Sequence, residues 1–172
     1  MKKIKIIMTI VLFGLSFLAH YIYTWFPNFI TSIFFPVNES IWEHMKIIYT
    51  CILIGSIIEF IIYKTKGIKV NNFYINILIT SISSIILYLA IYLPLEDMFS
   101  HNTFIAISLL LIIFIISQII SYYILNLKEI PNQKIIGFIL IILSYMFFTY
   151  LTYYPLYNDL FIDKQTNKYG IK

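Results

Sequence analysis

Long apolar segments separated by short polar connections make up most of this chain. Polar residues and prolines delimit five such segments, at residues 4–26, 40–63, 73–93, 104–125 and 135–154. Each can cross a lipid bilayer as a helix, because about 20 residues rising about 1.5 Å apiece span the hydrocarbon core. The pattern predicts an all-α integral membrane bundle of about five transmembrane helices. Residues 1–172 would form a single domain that ends in a polar tail at 155–172.

The first segment has a second interpretation. Lys2, Lys3 and Lys5 precede an apolar run, as basic residues do in a secretory signal peptide. The run nevertheless continues through Tyr21 and Trp25 and lacks a clear small-residue cleavage site. We therefore expect a membrane-spanning helix, whereas cleavage would leave four spans.

Composition and charge support a membrane protein and narrow its partners. Hydrophobic residues are 60% and charged residues only 12% of the chain, outside the range of soluble globular surfaces. The basic residues are all lysines that mostly flank apolar segments, so they orient helices and do not indicate nucleic-acid binding. The single cysteine, Cys51, excludes an intramolecular disulfide. The lipid bilayer is the expected partner, and a homo-oligomer or a membrane protein partner stays open.

The lysines also predict the orientation in the membrane. They cluster before the first segment, between the second and third, and between the fourth and fifth. Lysine-rich connections stay in the cytoplasm, and the connections at 27–39 and 94–103 contain no lysine. We expect a plasma-membrane protein with a cytoplasmic N-terminus and an extracellular C-terminus, although Lys164, Lys168 and Lys172 count against the second assignment.

Most chemistry-bearing side chains fall at the predicted outer face. His20 lies six residues before Phe26, roughly 9 Å deep, and His44 lies four residues after Ser40, roughly 6 Å deep. Because a short connection makes these helices neighbours, we expect the two imidazoles to meet. The predicted pocket consists of His20, Asn38, Glu39, Ser40, Trp42, Glu43, His44, Lys46, His101 and Asp163.

Ionisable groups inside a membrane segment are functional hypotheses by default. Glu39 and Glu43 are spaced to share one helical face, and the catalytic candidates are Glu39, Glu43 and His44. In an enzymatic version Glu39 or Glu43 is the general base, and the histidines are acid catalysts or, as His20, His44 and His101, ligands of a divalent metal. The chain has none of the common metalloprotease, nucleophile-elbow or nucleotide-binding motifs, so the substrate stays open.

A structural interpretation competes for the carboxylates. Ser40 and Glu43 fit a capping box, in which each side chain accepts the other residue's backbone amide, and Lys46 can neutralise either glutamate. This interpretation does not explain His20 and His44. Glu59, farther along the second segment, lies close enough to the cytoplasmic end to be wetted or paired, and we expect it to snorkel toward that face.

Two further classes of protein stay open. A transporter or transporter subunit could gate an outer cavity with the same residues, although an odd number of spans without an inverted repeat or internal proline argues against it. A structural or regulatory partner protein could instead use the apolar connection at 28–35, lying on the membrane surface or against another protein.

One motif resembles a known family. The stretch Pro36-Val37-Asn38-Glu39-Ser40-Ile41-Trp42-Glu43-His44-Met45-Lys46 resembles the motif of an uncharacterised bacterial family of small multi-pass membrane proteins, a domain of unknown function. The segments Leu160-Phe161-Ile162-Asp163 and Tyr169-Gly170 are similar to that family's C-terminal end, and His20 to a histidine in its first span. The resemblance covers nearly the whole chain and implies no activity. It implies that the motif and the terminal segment belong together, and our orientation places them on one membrane face.

Overall fold

The structure is a computed structural model that describes residues 1–99 and 102–171. Within these residues, five long helices and one short helix follow one another along the chain. They are α1 (Lys2–Trp25), α2 (Phe29–Phe34), α3 (Ile41–Thr65), α4 (Phe73–Phe99), α5 (Thr103–Asn126) and α6 (Gln133–Tyr153). The five long helices are each long and apolar enough to cross a membrane, which confirms the predicted all-α bundle.

The long helices alternate in direction along the chain. Helix α1 packs on α3 and α5, while α4 packs on α3, α5 and α6. At Gly137, α6 approaches α4 so closely that a Cβ atom would lie 2.7 Å from a backbone carbon of Tyr74. We call the end that holds the C-terminus of α1, the N-termini of α3 and α5, and residues 155–171 the tail end.

Helix α4 is longer than predicted. We expected it to stop at residue 93, because a proline removes a helical hydrogen bond and clashes with the preceding turn. The helix instead continues through Pro94 to Phe99. Glu96, in this extension, accepts a 2.9 Å hydrogen bond from Lys164 of the tail, and this contact supports the last turn.

The connection between α1 and α3 packs against the side of the bundle, with Ser32 buried and Phe29 and Ile30 exposed. The carbonyl of Ser32 accepts a hydrogen bond from Lys46, and the carbonyl of Phe34 accepts one from Thr50. Lys46 and Thr50 lie five and nine residues after Ile41, so about 7 and 14 Å along α3. Helix α2 therefore dips toward the membrane interior, and the chain then returns to the start of α3.

The polar tail folds back onto the start of α3. Two short antiparallel strands, β1 (Ile162–Asp163) and β2 (Lys168–Tyr169), form a hairpin that the sequence did not predict. The Trp42 ring stacks on Phe161 at 4.8 Å, and the Trp42 amide donates to the Leu160 carbonyl. Asn38 donates to the carbonyl of Gly170 at 3.1 Å, so the motif and the terminal segment are in direct contact.

A buried ion pair lies at the opposite end of the bundle. Lys5 donates to Glu59 at 2.5 Å and to the Ser121 hydroxyl at 2.6 Å, which joins α1, α3 and α5. Lys5 and Glu59 are only 5% and 2% exposed. The expectation that Glu59 snorkels to the membrane face was therefore wrong, because a lysine on a neighbouring helix supplies the counter-charge inside the bundle.

Candidate metal centre

Two histidines and one carboxylate converge at the tail end. The Nε2 atom of His20 lies 3.5 Å from Oε1 of Glu39, and the Nε2 atom of His44 lies 3.5 Å from Oε2 of the same residue. The two imidazole centroids are 5.3 Å apart. We refer to these three residues as the His20–Glu39–His44 group.

The start of α3 positions the group. Ser40 is the N-cap of α3, and its hydroxyl accepts the Glu43 amide at 3.3 Å. Asn38 in turn accepts the Ser40 amide at 2.9 Å, which fixes the turn before the helix. Glu39 thus precedes the helix and does not share a helical face with Glu43, contrary to our expectation from their spacing.

A backbone hydrogen bond orients His44. Its Nδ1 atom lies 2.8 Å from the Ser40 carbonyl, which can only accept, so Nδ1 carries the proton. The other ring nitrogen, Nε2, faces Glu39. Histidines that bind metals are commonly held by such a hydrogen bond from the opposite ring nitrogen.

The distances suit a small divalent cation. Two ligands about 2.0–2.1 Å from one tetrahedral zinc ion lie about 3.3–3.4 Å apart. The two histidine–carboxylate separations of 3.5 Å are close to that value, although they end on different oxygens of Glu39. With one ligand atom taken from each residue, the three donor atoms all lie within 4.8 Å of one another. Three protein ligands would leave a fourth position open, as in catalytic zinc sites.

The group opens on a cavity of about 460 Å³. Residues of α1, α3, α4 and α5 line the cavity together with Gln165 from the hairpin. His20 and Glu39 keep 24% and 39% of their side-chain surface exposed, so an ion or ligand can reach both. Sequence reasoning missed Gln165 and Thr103, because neither belongs to a motif and only the fold brings them here.

Glu43 and Lys46 form a separate, buried pair. Lys46 donates to Glu43 at 2.5 Å, to the Ser32 carbonyl at 2.8 Å and to the Thr152 hydroxyl at 2.9 Å. Glu43 also accepts from the Thr152 hydroxyl and from the Val37 amide. The capping box is therefore only half formed, because the Glu43 carboxylate turns to these partners while Asn38 takes the Ser40 amide. A catalytic role for Glu43 stays a prediction.

Asp163 connects the hairpin to the group. Its carboxylate accepts hydrogen bonds from the amides of Gln165 and Thr166 and from the Thr166 hydroxyl, and it lies close enough to the Glu39 amide to interact with it. Burial alone would raise the pKa of Asp163, but these hydrogen bonds outweigh it and hold the pKa below the ordinary value of 3.8. Asp163 is thus a positioning residue for Glu39. The predicted pocket residue His101 lies outside the described residues.

We expect the Asp163→Asn variant to lose about 1.5–3 kcal/mol of stability at pH 7, the range for hydrogen bonds to a charged group. Because folding depresses the pKa, the stabilisation is complete above the unfolded pKa of about 3.9 and is lost as the pH falls through the lower folded value. Melting temperatures of parent and variant should therefore differ at pH 7 and converge in acid. Equal melting temperatures at pH 7 would contradict the assigned role.

Comparison with known proteins gives a family without an activity. A family of unknown function (DUF6512) matches residues 1–171, and this match confirms the resemblance to an uncharacterised family. No curated protein and no solved structure matches the chain.

Proposed function

The chain belongs to the family of unknown function (DUF6512), which brings no activity with it, and we propose a function from the His20–Glu39–His44 group. The protein binds one divalent metal ion, best matched by zinc, at the tail end of a multi-pass membrane bundle. The convergence of two Nε2 atoms and one carboxylate within 4.8 Å carries this proposal.

A metal at this place would support hydrolysis. Zinc lowers the pKa of a bound water to about 7, which makes hydroxide available at neutral pH without a separate base. Glu39, His20 and His44 would hold the ion, and all three residues line the cavity. Glu43 has no part in this assignment, because both of its oxygens accept hydrogen bonds from Lys46, Thr152 or Val37.

Metal titration tests the proposal directly. Metal-stripped protein should take up one Zn²⁺ per chain, and zinc at 100 times its Kd should stabilise it by about 2.7 kcal/mol. The His20→Ala and His44→Ala variants should bind more than about 100-fold more weakly, because the loss of an outer-shell partner alone costs about 10–100-fold. Binding isotherms and melting temperatures measure both effects.

A neighbouring carboxylate supplies the control for this titration. Glu96 lies near Glu39 along a smaller cavity, but it pairs with Lys164 and is not in the group. The Glu96→Gln variant should bind zinc like the parent. A parent that purifies without metal and keeps its melting temperature across a wide zinc range would overturn the metal site. Our preference would then move to a non-metal binding or partner role.

We also propose that the tail end faces outward from the plasma membrane. The lysine-rich ends of the helices and the lysine-free connections support this orientation. In a Cys51→Ser background, Tyr169→Cys should react with an impermeant thiol reagent on intact cells, whereas Lys66→Cys should not. Labelling at position 66 alone would reverse the orientation.

A further inference from the structure

The cavity beside the His20–Glu39–His44 group runs along the helices toward the middle of the bundle. On α1, Ser16 and Phe17 lie one turn deeper than His20 and Tyr21 and line the same cavity. On α5, its lining extends from Thr103 to residue 110, which is seven residues or about 10 Å deeper. The cavity is thus elongated along the membrane normal, with the group at one end.

The polarity of the cavity changes along this axis. Its tail end carries the donors of the group together with Thr103 and Gln165. The deeper part is lined by the apolar side chains of Phe17, Ile47, Ile107 and Leu110 and by Ser16, whose hydroxyl donates to the Phe13 carbonyl at 2.6 Å. A ligand that matches both parts has a polar end and a hydrocarbon chain. A small water-soluble substrate would leave the apolar part without a complementary group.

Access to the cavity is open from the side. Gln165 of the hairpin lines the cavity together with the donors of the group. Phe17 and Tyr21, which line the cavity on α1, are 44% and 49% exposed. The gap beside α1 therefore faces lipid, so a membrane component can enter without leaving the bilayer.

The depth of the group selects one part of a lipid. Helix α1 has 24 residues and is about 36 Å long, so it extends about 3 Å beyond each side of a centred hydrocarbon core of about 30 Å. His20 lies five residues before Trp25, about 7.5 Å from the helix end and about 4–5 Å inside the core boundary. The linkage between chain and headgroup reaches this depth more readily than an outer phosphate.

We infer that the substrate is a membrane amphiphile whose acyl chain occupies the deep part of the cavity and whose ester or amide linkage lies at the His20–Glu39–His44 group. This inference rests on the proposed function and names its substrate class. In the reaction, the water oxygen bonds to the linkage carbonyl carbon, and the bond from that carbon to the headgroup oxygen or nitrogen breaks. The leaving group takes a proton from the water, so a fatty acid and an alcohol or amine form without electron transfer.

Photolabelling tests where the chain lies. Zinc-treated protein is reconstituted in phosphatidylcholine vesicles that contain a phospholipid with a diazirine midway along one acyl chain. Illumination should crosslink the probe to Ser16 and Leu110, because Ser16 is only 3% exposed and is shielded from surrounding lipid. Leu110→Trp should reduce this labelling at least tenfold by filling the deep part. The exposed Phe138 on α6 should label equally in both proteins.

A second variant and a zinc titration keep the outcomes distinct. Ala106→Phe narrows the cavity one turn nearer the group, and it serves if Leu110→Trp does not fold. Normal zinc binding with no crosslink at Ser16, or with equal labelling of parent and variant, overturns the substrate class and leaves the metal site standing. Crosslinks at Ser16 in a protein that binds no zinc overturn the metal chemistry and retain the lipid cavity.

Discussion

Replacing Lys46 by Met should lower the free energy of unfolding by about 3–5 kcal/mol, the range for removing one partner of a buried ion pair. The Lys46 ammonium is fully buried and donates to Glu43, to the Ser32 carbonyl and to Thr152. Without it, the Glu43 carboxylate stays buried without a counter-charge. Thermal unfolding in detergent should show the loss as a lower melting temperature.

Two further variants make this prediction specific. The Lys64→Met variant removes an exposed lysine from the same helix, and it should unfold like the parent. The Glu43→Gln, Lys46→Met double variant removes both charges and should recover most of the lost stability. A double variant as unstable as Lys46→Met would mean that the ammonium contributes mainly through the Ser32 and Thr152 contacts.

The buried Lys5–Glu59 pair, at the opposite end of the bundle, should differ from Glu43–Lys46 in the stability of its double variant. Glu59→Leu should cost about 3–5 kcal/mol, because Lys5 would then be buried opposite only the Ser121 hydroxyl. Glu59 Oε1, however, has no hydrogen-bond partner within residues 1–99 and 102–171. The Lys5–Glu59 pair thus has fewer hydrogen bonds than the Glu43–Lys46 pair. We therefore expect the Lys5→Met, Glu59→Leu double variant to have the free energy of unfolding of the parent or one about 1–4 kcal/mol higher.

The matched control for the second pair is Lys3→Met, which removes an exposed lysine beside Lys5 and should leave the unfolding transition unchanged. Denaturant titration in a fixed detergent compares all four proteins. If the double variant is as unstable as Glu59→Leu alone, the charges stabilise the packing of α1 on α3 and α5, and the unsatisfied oxygen is of little energetic consequence.

The sequence predicts the bundle well, because an apolar run of about 20 residues has few alternatives to a membrane helix. It also places His20 and His44 at similar depth by counting residues from the helix ends. It does not predict that α4 continues through Pro94, because the supporting partner, Lys164, is 70 residues away along the chain. The hairpin is missed for a similar reason, since strands of two residues leave no periodic pattern.

The two carboxylates of the motif, Glu39 and Glu43, show how far the sequence can predict the site. Their four-residue spacing suggests equal roles on one helical face, and Lys46 could pair with either one. The structure separates them, because α3 begins only at Ile41 and Glu39 remains in the preceding turn. Glu43 and Lys46 pair beside Thr152 of α6, whose hydroxyl contacts both side chains. The sequence marks Thr152 only as a polar residue in an apolar run.

The packing of α2 against the bundle has a consequence for the order in which the protein assembles during synthesis. Lys46 contacts Ser32 of α2 and Thr152 of α6, so the contacts that hold this connection form only after α6 has been synthesised. The Glu39 amide likewise interacts with Asp163, which comes even later in the chain. A nascent chain with its first helices already inserted thus lacks an assembled site. The contacts around the site can therefore form only after residues up to Asp163 have been synthesised.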